Sequence, residues 1–360
     1  MKSLLCIFFA ICTYSVNAAE PDDSTQAVEV LRKSTNVTPI KADPPVYPLK
    51  ALKLGIEGWV VLKFVVKADG TTDDIEVFDS SIEGYFDEAA IKATRNRVYQ
   101  PATINGEPVM RGNVFLRSIF QITSSDGGVS KSFLRYYRKA SKALDEGQLD
   151  EAKSLIDKLD TNDKRLLAEV CYLDMLKARY YTKTADDKAT LRFVERALVI
   201  ADDVASKSVY VHLLRQAIVH NSKINNFQTS LEYYQTLMEV DENLSPDDPL
   251  HNYMMRVKQV VNGEESILTH GEVSRSCEFC EDSSGFWSHI LNRNQFSIDQ
   301  VAGQLTEIKI VCQNSSVTVR YSPEIAWTVN QDDGDCSIRV FGDMDTSFRL
   351  IELANKDTEN

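Results

Sequence analysis

Four cysteines crowd the last third of this 360-residue chain: Cys277, Cys280, Cys312 and Cys336. Thiols so placed can form disulfides, hold zinc as thiolates, or cycle between dithiol and disulfide. The Cys277-Glu-Phe-Cys280 spacing suits a tight disulfide loop. A zinc site would need Cys312 and Cys336 as a second close-spaced pair, and they lie far apart in sequence. A redox pair would need a strand-to-helix setting, which the flanking residues do not show. The favoured reading is two disulfides, Cys277–Cys280 and Cys312–Cys336. That pairing is one of three open to four cysteines.

Other chemistry is sparse. The five histidines are His212, His220, His251, His270 and His289. His212 and His220 are two helical turns apart, too far to share one metal without further ligands. No nucleophile elbow, zinc-protease helix motif, phosphate loop or dinucleotide fingerprint occurs. Asp241-Glu242 and Asp247-Asp248 read as solvated helix ends rather than acid–base pairs. The expectation is a binding protein, not an enzyme, with no cofactor and no metal. The one enzymatic alternative is a redox protein centred on Cys277 and Cys280.

Composition narrows the class. A hydrophobic fraction of 43% and a charged fraction of 26% are those of a globular protein. The net charge of −13, with no Lys/Arg cluster, argues against nucleic acid as partner. The first residues read as an export signal: Lys2, an apolar run from Leu4 to Val16, then Val16-Asn17-Ala18 at the cleavage position. The run is short for a membrane span, so cleavage after Ala18 or Ala19 is expected, with an uncleaved inner-membrane anchor as the alternative. Export to an oxidising compartment agrees with the disulfide reading. Cys6 and Cys12 leave with the signal, and Cys171 falls in a helical pattern as a buried thiol.

The densest stretch runs from Pro44 to Ile122. Tyr47-Pro48 and a helical turn ending at Gly55 precede a strand, Trp59 to Val66, whose apolar residues alternate. Asp69-Gly70 turns the chain into a second strand, Ile75 to Phe78, closing a hairpin. A helix, Phe86 to Arg97, follows, then Tyr99-Gln100-Pro101. Asn105-Gly106 marks a turn. The closing strand, Val109 to Ile122, is expected at a sheet edge, with Val114, Leu116, Ser118, Phe120 and Ile122 on one face.

Taken in series, Tyr47-Pro48, Gly55 with Glu57-Gly58, the Val/Phe strand, Asp69-Gly70, Phe86 with its Ala-rich helix, Tyr99-x-Pro101 and the last apolar strand resemble the TonB C-terminal domain family. These are periplasmic energy transducers of Gram-negative bacteria. The resemblance spans about a fifth of the chain. It implies capture of a short partner segment, such as the TonB box of an outer-membrane transporter, by strand addition. The residues it assigns to that role are Val114, Phe115, Leu116, Arg117, Ser118, Ile119 and Phe120, with Tyr47 and Pro48 nearby. The chain departs from a full transducer. Its apolar N-terminal run contains no His, no long Pro/Lys-rich spacer follows it, and over 200 residues come after the domain. An adaptor is therefore expected, with a membrane-anchored transducer component as the alternative.

Those later residues divide in two. Lys131 to Val261 is helical in pattern, and Gly147, Ala185 and Asn225 open similar stretches at intervals near those of helix-hairpin solenoids. The pattern resembles degenerate tetratricopeptide repeats, with a plain helical bundle as the alternative. From Ile267 onward come short strands: Gln304 to Cys312, Ser316 to Tyr321, Ile325 to Val329, Cys336 to Phe341 and Ser347 to Leu353. They suggest a small β-sandwich or barrel. The expected fold class is multidomain α+β: signal 1–19, lead-in 20–41, a two-layer αβ TonB-like domain 42–124, helical repeats 131–262, and an all-β disulfide-bearing domain 267–354. The expected location is the periplasm and the expected partner is a protein or peptide.

Overall fold

Alternating apolar side chains build the first sheet. Strand β2 (Gly58–Val66) is buried on both faces: Val60, Leu62, Phe64 and Val66 on one, Trp59, Lys63 and Val65 on the other. Successive side chains of a strand point to opposite faces, so such a strand has to be covered twice. The computed structural model describes residues 37–122, 128–161, 164–242, 244–274 and 285–354. In it, β3 (Thr72–Ser80) and β7 (Arg111–Phe120) flank β2 antiparallel, in the order β3-β2-β7. Helices α1 (Leu49–Leu54) and α2 (Asp87–Arg95) lie on the first face, where Ile56, Phe86, Ala90, Tyr99 and Phe120 complete a core with Val60, Leu62 and Phe64.

Short pieces close this layer. β1 (Pro39–Lys41) pairs with β4 (Val98–Tyr99). β5 (Ala102–Ile104) and β6 (Glu107–Val109) form a hairpin whose turn residues, Asn105 and Gly106, both have positive φ, as a type I′ turn requires. Gly70 has φ +84°, and a Cβ there would meet the Tyr99 carbonyl at 2.3 Å, so this turn needs glycine. The last strand is shorter than the expected 109–122. It carries a bulge near Asn113, where φ is +53° and the register with β2 shifts.

Seven helices follow among the described residues: α3 (Lys131–Asp145), α4 (Leu149–Asp160), α5 (Leu167–Lys183), α6 (Asp187–Val204), α7 (Lys207–Lys223), α8 (Phe227–Val240) and α9 (Pro249–Asn262). The α3–α4, α5–α6 and α7–α8 pairs share one turn geometry. Gly147, Ala185 and Asn225 each adopt positive φ, and each amide bonds back to the carbonyl three residues earlier. The next amide reaches the carbonyl five residues before it in all three. Five residues after each turn residue sits a small, fully buried side chain: Ala152, Thr190 and Ser230. Polar caps start several helices. Ser130 Oγ accepts from Phe133 N, Asp186 Oδ1 from Ala189 N and Asp248 Oδ1 from Leu250 N.

The last third is a sandwich of two four-stranded antiparallel sheets. One has the order β13-β10-β15-β8, from β8 (Ile267–Glu272), β10 (Gln295–Ala302), β13 (Ala326–Thr328) and β15 (Ser347–Glu352). The other has the order β12-β11-β14-β9, from β9 (Gly285–Ile290), β11 (Leu305–Cys312), β12 (Ser316–Arg320) and β14 (Cys336–Gly342). Phe296, Ile298, Ile308, Ile338, Val340 and Phe348 fill the space between. Strands β8, β9 and β10 add to the five expected. Their inward positions include residues such as Thr269, Gly271 and His289, which do not read as an apolar alternation. Cys312 and Cys336 face each other across β11 and β14 and form a disulfide, which removes both from any thiolate zinc site. Cys277, Cys280 and the export signal lie outside the described residues.

These parts clasp one another through buried polar groups. Glu57, 1% exposed, accepts from Leu167 N at the start of α5 and from Ile122 N, while its own amide bonds Arg165 O. Arg196 of α6 reaches Asp79, Asp174 and the carbonyls of Ser80 and Ser81, and its guanidinium lies 5.1 Å from the Trp59 ring centre. From the sandwich, Arg339 pairs with Asp74 and Glu76, and Lys63 Nζ donates to Ser337 Oγ. Glu352, fully buried, accepts from His289 Nε2 and from the amides of Asn292 and Arg293. Asn292 in turn accepts from the first amides of α8, and Arg293 donates to Val260 O and Val261 O at the end of α9.

Two predictions follow from this packing. Arg196→Ala leaves buried Asp174 without its guanidinium and should cost about 3–5 kcal/mol in urea unfolding; a loss below about 1 kcal/mol would contradict the lock. Burial pushes the Cys171 thiol up to about 12, with Asp174 and Asp202 adding to the shift. Iodoacetamide at pH 8 should therefore leave Cys171 unlabelled until the chain is unfolded, as read by peptide mass spectrometry.

Candidate functional site

Backbone direction along β7 locates the candidate site. Trp59 turns its carbonyl and amide toward the β3 side, where they meet Ser81 N and Ser81 Oγ. Backbone groups alternate sides along a strand, so Val60, Leu62 and Phe64 turn theirs toward β7. Their partners Ser118, Leu116 and Val114 point back at β2. The amides and carbonyls of Phe115, Arg117 and Ile119 then point outward, away from the sheet. Among the described residues, nothing hydrogen-bonds to these outward groups. A strand edge of this kind can pair with another extended chain.

The edge does not run the full length of β7. Beyond the bulge, Gly112 N donates to Gln313 O at 2.8 Å, and Asn113 Nδ2 donates to Val311 O at 2.8 Å. The end of β11 thus occupies this corner. Contact is so close that a Cβ on Gly112 would lie 2.1 Å from the Cys312 carbonyl. Glycine here carries the approach of two backbones, a signal invisible in sequence because the partner strand is two hundred residues away.

Side chains around the open part are mixed. Phe115 is 47% exposed and meets Phe78, 39% exposed, edge to face at 5.2 Å between ring centres. Lys63 Nζ lies 5.8 Å from the Phe115 ring centre. Arg117 donates to Val199 O and pairs with Asp202 at 2.8 Å and Asp203 at 3.2 Å at the end of α6. Ile119 packs toward the helices with Val61. A cavity of about 210 Å³ opens beside this contact, among Glu195, Val199, Tyr210, Leu214 and Tyr233. Val114, Leu116 and Phe120 face the core on the other side.

Tyr47 and Pro48 lie elsewhere. Tyr47 packs edge to face on Phe86 and Phe120, and its hydroxyl donates to Ile56 O at 2.6 Å. Burial, reinforced by the charge of Glu57, pushes this phenol up to about 12. Pro48 caps α1. Tyr47 therefore packs against the core face beneath the end of β7. One residue invisible to motif reading stands near the Gly112 corner: Asp335 accepts from Gln313 Nε2.

Residues 43–114 match the family model described as "Gram-negative bacterial TonB protein C-terminal". Over 77 residues the chain is 36% identical to Protein TonB of Pseudomonas aeruginosa, covering 21% of this chain and 22% of that protein. Protein TonB of Xanthomonas campestris pv. campestris is 33% identical over 74 residues, covering 21% and 33%. The chain thus spans a fifth to a third of the length of these relatives. Among solved structures, the solution structure of the Pseudomonas aeruginosa TonB C-terminal domain aligns with 25% of this chain and 91% of that one, at 33% identity and a TM-score of 0.23. The family match ends within β7 and does not bear on the helices or the sandwich.

Crowding, and then the charge of Asp335, pushes the Glu232 carboxyl up to about 7, although its side chain keeps solvent contact. A raised carboxyl binds its proton more tightly folded than unfolded, so the chain loses stability as pH rises from about 4.5 through about 7. Glu232→Gln should therefore melt roughly 1–2 °C above the parent at pH 8 and level with it at pH 4. An equal difference at both pH values would contradict the assignment.

Proposed function

We propose that this chain is a periplasmic TonB-like capture protein serving transport across the outer membrane. It takes up an extended segment of a partner along the outer edge of β7. The observation that carries this reading is the set of outward backbone groups at Phe115, Arg117 and Ile119, in a domain that matches the TonB C-terminal family. Main-chain hydrogen bonds to those groups supply affinity, and the side chains beside them supply selectivity. Val114, Leu116, Ser118 and Phe120 hold the edge in place from within, and Tyr47 and Pro48 support its far end.

The helices serve as scaffold in this reading. The recurring turn at Gly147, Ala185 and Asn225 supports a tetratricopeptide-like array. Its α6 end and the sandwich corner flank the open edge. Binding, not catalysis, is the work assigned to the chain. The disulfide between Cys312 and Cys336 suits an oxidising compartment.

Proline separates the two sides of β7. Phe115→Pro and Ile119→Pro remove outward donors that no other group uses, a change an edge strand tolerates. A photocrosslinking residue at Arg117 should give an envelope-protein adduct in intact cells, reduced roughly tenfold in either variant at unchanged chain level. Leu116→Pro removes a donor to β2 and should instead lower the melting temperature by several degrees. Adducts of equal yield in all three variants would count against capture along this edge.

A further inference from the structure

Three residues at the closed end of the edge meet the sandwich, and each does so beside a half-cystine. Gly112 N donates to Gln313 O at 2.8 Å, and Arg111 Nη1 donates to Gln313 Oε1 at 3.2 Å. Asn113 Nδ2 donates to Val311 O at 2.8 Å and to Asp335 O at 3.3 Å, while Asn113 Oδ1 accepts from Ser337 Oγ at 2.8 Å. Val311 and Gln313 flank Cys312, and Asp335 and Ser337 flank Cys336. The β11–β14 ladder ends at that pair of cysteines. The disulfide therefore joins the two segments that grip β7 at the point where backbone pairing no longer joins them.

The grip depends on the backbone of Asn113. Its φ of +53° is a left-handed conformation that asparagine adopts more readily than most residues. The bulge shifts the register with β2, from Phe64–Val114 to Val66–Arg111. Gly112 then turns its amide onto Gln313 O rather than toward β2. In a regular strand the outward row would continue past Phe115 and offer more groups to a pairing chain.

Resting on the edge-capture reading, we propose that Asn113 and the Cys312–Cys336 disulfide are positioning residues that set the length and register of the captured strand. They hold the end of β11 across the edge. A partner chain pairs with Phe115–Ile119 and must end or turn at the Gln313 corner. The partner segment is thus a short extended stretch of another protein, about five residues at the rise of a strand. Residues added at the corner gain nothing, because the backbone groups they would use are already bonded.

The test uses fluorescein-labelled peptides that alternate Val and Thr, about five residues long or lengthened by about four at one end or the other. Fluorescence anisotropy on the full parent chain should show no gain from lengthening at the end that meets the corner. Asn113→Gly keeps the left-handed backbone and removes the side-chain bonds. In that variant, and separately in Cys312→Ala/Cys336→Ala, one of the two lengthened peptides should gain roughly tenfold over the short one beyond any gain in the parent, as one or two new backbone bonds would give. Amide exchange separates this from a merely structural role: Gly112 should exchange at least about tenfold faster in both variants while Val114 and Leu116 stay protected. The same dependence on length in parent and variants would overturn the stop. So would equal loss of protection at Gly112, Val114 and Leu116, which marks general loosening of the sheet. In either case the edge itself stands if Phe115→Pro abolishes binding. Binding indifferent to Phe115→Pro, or no binding by any peptide, overturns the edge reading and the stop with it.

Discussion

Burial of both faces of β2 is the constraint from which the rest of the structure follows. One face is covered locally by α1 and α2, as the short αβ layer requires. The other presents Trp59, Val61, Lys63 and Val65, and nothing within residues 37–122 is placed to cover it. The helices take the Trp59 end and the sandwich takes the Lys63 end. Arg196, Arg339 and Lys309 are cations that fix these contacts, each against carboxylates of β3 or its neighbours. A buried ion pair adds little net stability over an apolar contact of the same shape, but breaking one is costly. Such pairs therefore fix which surfaces meet rather than how strongly.

Covering the second face leaves the sheet only its edges. The corner at Gly112 is closed by the end of β11, and the remainder of β7 faces a space bounded by the end of α6. The result is an edge that is open but short. Edges of this kind invite unwanted pairing, and proteins limit that risk by shortening them or surrounding them with charge. Both devices are present: the Gly112–Gln313 bond sets the length, and Arg117, Asp202, Asp203 and Asp335 stand beside the opening. The same features would choose a partner.

Much of this was legible in the sequence, for physical reasons that differ by region. The β2 alternation, the Asn105-Gly106 turn and the placing of Val114, Leu116 and Phe120 on one face are local consequences of strand geometry. The helix turns at Gly147, Ala185 and Asn225 are local too, since each needs positive φ and a small side chain five residues on. What stayed hidden is non-local. Glu57 reads as part of a loop motif, yet it caps a helix over a hundred residues later. Gly112 reads as an ordinary strand residue, yet it admits the Cys312 carbonyl. Tyr47 reads as a candidate contact, and its half-buried ring packs on Phe86 and Phe120. Strands β8 and β9 carry too few regularly spaced apolar residues to announce themselves.

The central claim is that the outer side of β7 is unpaired in the free chain, and amide hydrogen exchange tests it residue by residue. The amides of Phe115, Arg117 and Ile119 should exchange at least about a thousandfold faster than those of Val114, Leu116 and Ser118, which are bonded to β2. Equal protection of all six would mean that the edge is already occupied, and would contradict the account.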